Sequence, residues 1–207
     1  MTRPVFVVIC GINGAGKSTL ADALAASSDL AGLPFLNPDR LSAGYRQVDA
    51  TLTREAADIR ALRHVAQEIR QLIAGRQSFV SETVGANAAY RRYVESAKAS
   101  RYLIRVVFVG LRSAEQSIAR VALRVRMGGH SIQEADIRRR WPAVHANLTW
   151  FATHADILDV YANADDGAAP RIIARLRAGQ IKYLDPAALP EVTNTNPPKE
   201  SPIHGFR

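Results

Sequence analysis

A glycine-rich octapeptide near the start of the chain has the residue types and spacing that bind a nucleoside triphosphate. Residues 11–18 read G-I-N-G-A-G-K-S, which fits the P-loop pattern G-x-x-x-x-G-K-[ST]. Backbone N–H groups of such a loop face phosphate oxygens, and the following helix adds the positive end of its dipole. We expect Lys17 to reach the β and γ phosphates of ATP and Ser18 to ligate Mg²⁺. The predicted ATP-binding residues of the loop are Gly11, Asn13, Gly14, Ala15, Gly16, Lys17, Ser18 and Thr19.

The segments on both sides of this loop are those that a P-loop requires. An apolar run over residues 5–10 predicts a buried strand before it, and good helix formers over residues 19–26 predict a helix after it. A chance glycine turn is the alternative, and the strand–loop–helix setting argues against it. Cys10 is the single cysteine, so an internal disulfide and a cysteine-based zinc site are excluded.

Acidic residues follow two further predicted strands, where a kinase would bind its acceptor. Ligands of parallel sheets lie outside the carboxyl ends of the strands. Asp39 follows the strand at 34–36 and is the candidate general base, with a helix N-cap as its alternative role. Glu82 follows the strand at 78–81. It could hold the acceptor or orient a Mg²⁺-bound water; an ordinary structural contact at the strand end is the alternative. Thr83 is the other acceptor-binding candidate.

A basic pair of predicted helices, over residues 114–127 and 132–141, suggests a lid. Ser113 and Ser131 each precede a Gln or Glu by three residues, which predicts a capping box for each helix. The glycine pair at 128–129 would let such a lid close over ATP and exclude water; a solvated basic face is the alternative. We expect Arg120 and Arg124, which share a helical face, to bind ATP. The pair carries Arg120, Arg124, Arg126, Arg138, Arg139 and Arg140.

The remaining pattern alternates strands with helices and predicts an α/β fold. Helices are expected at 53–74, 87–99 and 170–178, and strands at 103–111 and 157–161. Such an order implies a parallel sheet of about five strands flanked by helices, that is, a P-loop NTPase or kinase fold with a small helical lid. We expect one domain over residues 1–185 with its lid at about 114–141, a C-terminal tail over 186–207, and a loop at 161–167 beside the adenine.

Missing motifs narrow the class of P-loop protein. The G-protein motif N-K-x-D, the transporter signature L-S-G-G-Q and the Asp-Glu strand end of motor ATPases are absent from the sequence. A small-molecule kinase that uses ATP and Mg²⁺ is the class that remains. The net charge of +8 keeps a nucleic-acid-associated ATPase or polynucleotide end kinase as the alternative. No run is long enough to span a membrane, and no signal peptide is recognised, so we expect a cytoplasmic location.

Several of these motifs, taken in order, resemble the zeta toxin family of P-loop kinases. The matching pieces are G-I-N-G-A-G-K-S, F-L-N-P-D-R, F-V-S-E-T, R-V-A-L-R-V-R-M-G-G-H-S, R-R-R-W and V-Y-A-N-A-D-D-G. The resemblance implies ATP-dependent phosphorylation of a sugar hydroxyl, with UDP-N-acetylglucosamine as the usual acceptor. It implies Asp39 as the base, Lys17 on the phosphates, and Arg126 and Arg139 as catalytic lid arginines. It also implies a toxin with a protein antitoxin as its partner.

One segment departs from the family pattern. Typical members carry Glu-x-Thr-x-Arg after the third strand and use it to hold the sugar nucleotide. A pattern that starts at Glu82 places Val84 and Ala86 at the Thr and Arg positions. The resemblance therefore supports the family's kinase chemistry in this chain more fully than it supports the family's acceptor.

Overall fold

A computed structural model of the chain describes residues 3–27, 30–163 and 170–185. The strands are β1 Val5–Cys10, β2 Phe35–Leu36, β3 Phe79–Thr83, β4 Leu103–Gly110, β5 Ile157–Ala162, β6 Arg171–Arg177 and β7 Gln180–Leu184. The helices are α1 Lys17–Ser27, α2 Pro38–Val48, α3 Arg54–Ala74, α4 Ala89–Ala99, α5 Ala114–Arg126 and α6 Glu134–His154. The predicted tail at 186–207, and residues 164–167 of the loop expected beside the adenine, lie outside the described residues.

The seven strands of the described residues form one sheet in the order β2-β3-β1-β4-β5-β6-β7. The first five of these are parallel to one another, which confirms the predicted α/β fold with a parallel sheet flanked by helices. The sheet has seven strands rather than about five, because β6 and β7 extend it with antiparallel pairing. The central strands β1 and β4 are covered on both faces; Val7, Val8, Val106 and Val107 are fully buried. Because β3 lies beside β1, the segment after β3 meets the P-loop at the same edge of the sheet.

The predicted helix at 170–178 is wrong, because those residues form the antiparallel strand β6. Ala178 and Gly179 have φ values of 47° and 76°, which fit a two-residue hairpin turn to β7. A glycine at 179 also suits the end of a helix, which is why the local pattern favours a helix over 170–178. Asp159 of β5 is fully buried and accepts hydrogen bonds from Arg175 and Arg177 of β6 at 2.8 and 3.4 Å. These contacts favour pairing of the segment with β5 over a helix.

The second predicted lid helix is longer than expected and begins later. It starts at Glu134 after Gln133, and no side chain caps it, so the capping box at Ser131 is wrong. It continues through Pro142 to His154. A proline inside a helix costs about 3 kcal/mol, but an apolar face that is buried on both sides of Pro142 holds the helix against the sheet. That face comprises Ile137, Val144, Leu148 and Phe151.

Three other helix starts follow the local sequence closely. The Ser113 side chain accepts a hydrogen bond from the Gln116 N–H, as the capping box predicts. Thr53 caps α3 by accepting from the Ala56 N–H. Asn37 caps α2, with Pro38 in the first turn. None of the helices in the described part of the chain is long and apolar enough to cross a membrane.

Candidate active site

The P-loop occupies the edge of the sheet between β1 and α1. Gly11, Gly14 and Gly16 have φ values of 151°, 75° and 88°, which residues with a Cβ rarely adopt. A Cβ on Gly11 would lie 2.2 Å from the Val109 carbonyl oxygen, and one on Gly16 would lie 2.6 Å from Nδ2 of Asn163. The glycines of the motif therefore serve both the loop conformation and its close approach to neighbouring residues.

Three side chains from other elements hold the loop. Ser117 of α5 donates from Oγ to the Asn13 carbonyl at 2.6 Å. Asn163, which follows β5, donates from Nδ2 to the Ala15 carbonyl at 2.9 Å. Arg140 of α6 donates to Oδ1 of Asn13 at 3.1 Å. Asn13 thus connects the loop to both arginine-bearing helices, and the sequence analysis had not identified Ser117 as part of the site.

Lys17 lies inside the loop, at the first position of α1. Its Nζ donates to the Ile12 carbonyl at 3.2 Å. Burial lowers the pKa of Lys17, while the nearby charges of Glu82 and Asp39 act in the opposite direction. An ammonium group in such surroundings is stabilised by a negatively charged ligand. Ser18 and Thr19, the next two residues of the predicted ATP site, are exposed in the first turn of α1.

Glu82 is a buried acid at the carboxyl end of β3. Its Oε1 accepts from Oγ of Ser18 at 2.9 Å, and its Oε2 accepts from Nδ2 of Asn37 at 2.9 Å. Only 5% of the residue is exposed. Burial raises the pKa of Glu82, although the charge of Lys17 and the hydrogen bond from Ser18 counteract this effect. The register of β3 on β1 pairs Glu82 with Ile9, which explains its place below the loop.

The Ser18–Glu82 pair fits the needs of Mg²⁺. This ion takes oxygen ligands, and beside a nucleotide it usually combines one or two protein groups with phosphates and water. The pair supplies a hydroxyl and a carboxylate next to the phosphate-binding loop. Within the described residues no group of three or more His, Cys, Asp or Glu could hold a metal on its own. The arrangement therefore suits a metal that arrives with the nucleotide rather than a cage made by the protein.

Asp39 lies in the first turn of α2 and does not cap it. The cap is Asn37, whose Oδ1 accepts from the N–H groups of Asp39 and Arg40 at 2.8 and 3.0 Å. The alternative role of Asp39 as an N-cap is therefore wrong. Among the described residues, none forms a hydrogen bond or ion pair with its carboxylate, which lines a cavity. A carboxylate in this state is available to a ligand.

The cavity beside Asp39 has a volume of about 570 Å³ and lies between five parts of the fold. Its walls come from the starts of α2 and α3, the segment after β3, the turn before α6, and the first half of α6. Asn13 brings the P-loop to its border. The lining residues include Asp39, Thr83, Arg139 and Arg140. Predicted residues from three separate sequence motifs thus meet in one space.

The arginines of α5 and α6 differ in their surroundings. Arg139 is exposed, pairs with Asp136 at 2.5 Å and lines the cavity, as does Arg140. Arg124 donates to the His130 carbonyl at 2.9 Å, and burial lowers its pKa. Arg126 is exposed at the end of α5, outside the residues that line the cavity. The catalytic role of Arg126 therefore stays a prediction that needs movement of the helix end.

Two further arginines complete this set. Arg120 lies beside the P-loop, since a Cβ on Gly14 would come within 3.2 Å of its Cβ. This position agrees with contact to ATP, which stays a prediction. Arg138 points to the surface, where it pairs with Glu115 at 2.5 Å and both side chains are more than half exposed. Arg138 therefore fits the alternative interpretation of a solvated basic face rather than a lid residue.

The segment after β3 supplies one neutral wall of the cavity. Thr83 accepts a hydrogen bond from the Gly85 N–H at 3.2 Å. Val84 and Ala86, which replace the Thr and Arg of the family pattern, both line the cavity with it. The departure from the family pattern therefore falls in the wall of the cavity beside Asp39.

Comparison with protein families settles the relationship that these motifs suggested. The model of the family described as zeta toxin matches residues 1–167. The chain belongs to the zeta toxin family. This membership confirms the resemblance and identifies the protein as an enzyme of the P-loop phosphotransferase class.

Individual relatives agree with this membership. An uncharacterized protein of Haemophilus influenzae is 30% identical over 142 residues, which cover 65% of this chain and 91% of that protein. The AvrRxo1-ORF1:AvrRxo1-ORF2 complex, solved with sulphate ions, matches with a TM-score of 0.67 and 16% identity over 87% of this chain and 61% of its own. The same complex solved with ATP has a TM-score of 0.64.

A structure from the PezAT chromosomal toxin-antitoxin system of Streptococcus pneumoniae matches with a TM-score of 0.61 and 13% identity, over 79% of this chain and 69% of its own. At such identities the likeness to solved structures shows the shared fold. The chain described here spans about three-fifths of the chain that it matches in the AvrRxo1-ORF1:AvrRxo1-ORF2 complex.

Proposed function

We propose that the protein transfers the γ-phosphoryl group of ATP to a hydroxyl group of a sugar or sugar nucleotide. The observation that carries the proposal is the carboxylate of Asp39, which has no hydrogen-bond partner among the described residues and shares one cavity with Arg139, Arg140 and the P-loop residue Asn13. General base, phosphoryl-binding cations and nucleotide-binding loop are the three parts that a small-molecule kinase requires.

ATP would bind with its phosphates on the P-loop, contacted by backbone N–H groups and by Lys17. Lys17 donates to a backbone carbonyl, and burial lowers its pKa. The negative charge of the β and γ phosphates would further stabilise the charged form of this ammonium group. Arg120 and Arg124 of α5, with Gly11, Gly14, Gly16 and Thr19 of the loop, complete the proposed ATP site.

Mg²⁺ would be held by Ser18, with Glu82 beside it. When bound, the ion neutralises charge on the β and γ phosphates. As an anion, Glu82 accepts hydrogen bonds from the Ser18 hydroxyl and the Asn37 amide together. Asn37 fixes the position of this carboxylate, so Glu82 would orient the Ser18 hydroxyl or a metal-bound water.

Asp39 would act as the general base. Its carboxylate accepts the proton of the acceptor hydroxyl as the oxygen forms a bond to the γ-phosphorus. The bond from the γ-phosphorus to the bridging oxygen breaks, and ADP leaves with that oxygen. Arg139 and Arg140 lie in the same cavity, where their charges would stabilise the transferring group in the transition state. Arg126 would join them if the end of α5 closes over the nucleotide.

As a member of the zeta toxin family, the protein is further proposed to act as a toxin with a protein antitoxin as its partner. Support comes from the PezAT structure, whose description names a toxin-antitoxin system. Co-expression with the product of a neighbouring gene would test this role. Growth arrest by the wild type, relief by the neighbour, and no arrest by Asp39→Asn are the expected results.

The direct test of the kinase activity is product analysis. Purified protein, ATP, Mg²⁺ and a panel of hydroxyl compounds should yield ADP and a phosphorylated compound in equal amounts. Lys17→Ala should abolish both products by weakening nucleotide binding. Release of phosphate without a phosphorylated acceptor, across a wide panel, would count against the proposal.

A further inference from the structure

Ser117 of α5 fixes the orientation of one peptide group of the P-loop. Its Oγ donates a hydrogen bond of 2.6 Å to the Asn13 carbonyl, and Ser117 is fully buried. The described residues contain no cis peptide bond, so the Asn13 carbonyl points opposite to the N–H of Gly14 in the same planar peptide group. The Gly14 N–H is thereby directed away from α5, and no acceptor in the described part of the chain binds it.

Asn163, which follows β5, acts in the same way on the peptide group two residues further along the loop. Its Nδ2 donates to the Ala15 carbonyl at 2.9 Å, which directs the N–H of Gly16 away from the end of β5. Within residues 3–27, 30–163 and 170–185 this N–H also has no acceptor. Asn163 is itself fixed to the sheet, because its own N–H donates to the Gly110 carbonyl of β4 at 3.0 Å.

The loop holds two of its other carbonyls without such distant partners. The Ile12 carbonyl accepts from Nζ of Lys17 and from the N–H of Ala15, both at 3.2 Å. The Gly16 carbonyl accepts from the Leu20 N–H in the first turn of α1 at 3.1 Å. The carbonyls at positions 13 and 15 instead depend on side chains that lie about 100 or more residues further along the chain.

The orientation of these two peptide groups determines what the loop presents to a ligand. N–H groups in successive bends of the backbone form a concave site for anions. Glycine adopts positive and negative φ about equally readily, so the peptide groups before Gly14 and Gly16 would rotate in a loop that nothing held. A rotated group would present its carbonyl oxygen, whose partial negative charge repels a phosphate. Fixing both groups therefore removes a conformational cost from phosphate binding.

The contact of Ser117 also sets the distance between the loop and α5. A Cβ on Gly14 would lie 3.2 Å from the Ser117 carbonyl oxygen and 3.2 Å from Cβ of Arg120. The loop thus lies directly on the turn of α5 that carries an arginine of the proposed ATP site. One hydrogen bond fixes the position of this turn relative to the phosphate-binding N–H groups.

We propose that Ser117 and Asn163 are positioning residues for the phosphates of ATP, which hold the peptide groups 13–14 and 15–16 with their N–H groups toward the nucleotide. Neither residue belongs to the P-loop pattern, and each acts through the backbone of the loop rather than by touching the ligand. This inference rests on the proposed ATP site.

The test compares the binding of ATP with that of inorganic triphosphate, each with Mg²⁺. Displacement of a fluorescent ATP analogue gives the Kd of both compounds, including weak ones. Triphosphate lacks adenine and ribose, so its Kd reports on the phosphate-binding groups alone. We expect Ser117→Ala and Asn163→Ala each to raise both Kd values about three- to tenfold, the range for one lost hydrogen bond between neutral groups.

Ser78→Ala is the matched control for a loss of stability. The Ser78 hydroxyl accepts from the Val5 N–H at 3.0 Å, at the start of β1, whereas the P-loop follows the end of this strand. Ser78→Ala should lower the Tm and leave both Kd values unchanged, since a folded protein that is merely less stable binds its ligand as before. Asn163 is only partly buried, so Asn163→Ala tests the proposal even if Ser117→Ala does not fold.

Each remaining outcome has a distinct meaning. Unchanged Kd values in both variants, or a wild type that binds ATP but not triphosphate, would overturn the inference and leave the ATP site in place. A weaker affinity of Asn163→Ala for ATP alone would mean that Asn163 contacts the nucleoside and does not position the loop. A wild type that binds neither compound would defeat the proposed kinase function itself.

Discussion

The Ser18 hydroxyl donates a hydrogen bond of 2.9 Å to Oε1 of Glu82 and so joins the end of the P-loop to the end of the neighbouring strand. The sheet order makes this contact possible, because β3 lies directly beside β1. Asn37 holds the second carboxylate oxygen, so Glu82 has a fixed orientation. A buried carboxylate that is costly for stability and is held in place next to a nucleotide loop points to a role in binding Mg²⁺–ATP.

Glu82→Gln should weaken the apparent affinity for Mg²⁺ in the presence of ATP. Groups that orient metal ligands typically contribute 10- to 100-fold to affinity, and we expect a loss of that order. Titration of activity with Mg²⁺ at saturating ATP measures it. Glu95→Gln, at an exposed position of α4, is the control and should leave the titration unchanged. An unaltered Mg²⁺ dependence in Glu82→Gln would remove Glu82 from the metal site.

The same substitution should affect stability in a pH-dependent way. Burial raises the folded-state pKa of Glu82 above its ordinary value of 4.5. At pH values between the pKa of Glu82 in the unfolded chain and its higher pKa in the folded protein, Glu82 is ionised in the unfolded chain but still protonated in the folded protein. The free energy of unfolding of the wild type therefore falls as pH rises through this range. Glutamine does not titrate. The stability of Glu82→Gln relative to the wild type should therefore increase through this window and level off above it.

Urea unfolding of both proteins at a series of pH values from about 4 to 8 measures this difference. The Gln side chain can keep both neighbours, since its oxygen can accept from Asn37 and its amide can donate to Ser18. A relative stability that falls with rising pH would show that Glu82 is stabilised as an anion, and that burial is not the dominant cause.

Asn13 should act as a positioning residue for Arg140. Arg140→Ala removes a cation that we propose faces the transferring phosphoryl group, where losses of about 10³–10⁵ in kcat are known for comparable arginines. Asn13→Ala removes only the hydrogen bond that holds that cation and should lower kcat by about tenfold. The two changes should be strongly non-additive in a double-mutant cycle. Additive effects would mean that Asn13 and Arg140 act independently.

Movement of α5 is expected to bring Arg126 to the site. Arg126→Ala and Arg139→Ala should each lower kcat more than they raise the KM for ATP, because their contacts form mainly in the transition state. Hydrogen exchange with and without a non-hydrolysable ATP analogue measures the movement at residues 114–133. Equal protection in both states, together with full activity of Arg126→Ala, would show that the end of α5 is a solvated basic face.

The sequence predicts those parts of the fold that local rules determine. The P-loop glycines, the cap Ser113, the helix start near Thr53 and the apolar central strands each follow from a few adjacent residues, and the structure agrees with them. The helix predicted at 170–178 is wrong because its boundary residues, Pro170 and Gly179, suit a hairpin as well as a helix. The decision depends on Asp159, a partner in β5 that the local pattern does not contain.

The candidate site shows the same division between local and distant information. Asp39 and Glu82 were found because they follow predicted strands. In the sequence alone, Arg54 and Asp58 are an ordinary i,i+4 pair of opposite charges at the start of a helix. Only the packing of α2 on α3 places them in the cavity with Asp39, and no sequence spacing contains that relationship.

The central claim is that Asp39 is the base of an ATP-dependent kinase. The most direct measurement is mass-spectrometric analysis of ADP and phosphorylated product from wild type and Asp39→Asn, given ATP, Mg²⁺, the small-molecule panel and DNA and RNA oligonucleotides together. We predict a phosphorylated small molecule from the wild type, and turnover about 10²–10⁴-fold lower in Asp39→Asn with ATP affinity retained. Near-normal turnover by Asp39→Asn, or phosphorylation of oligonucleotide ends in place of a small molecule, would contradict the account.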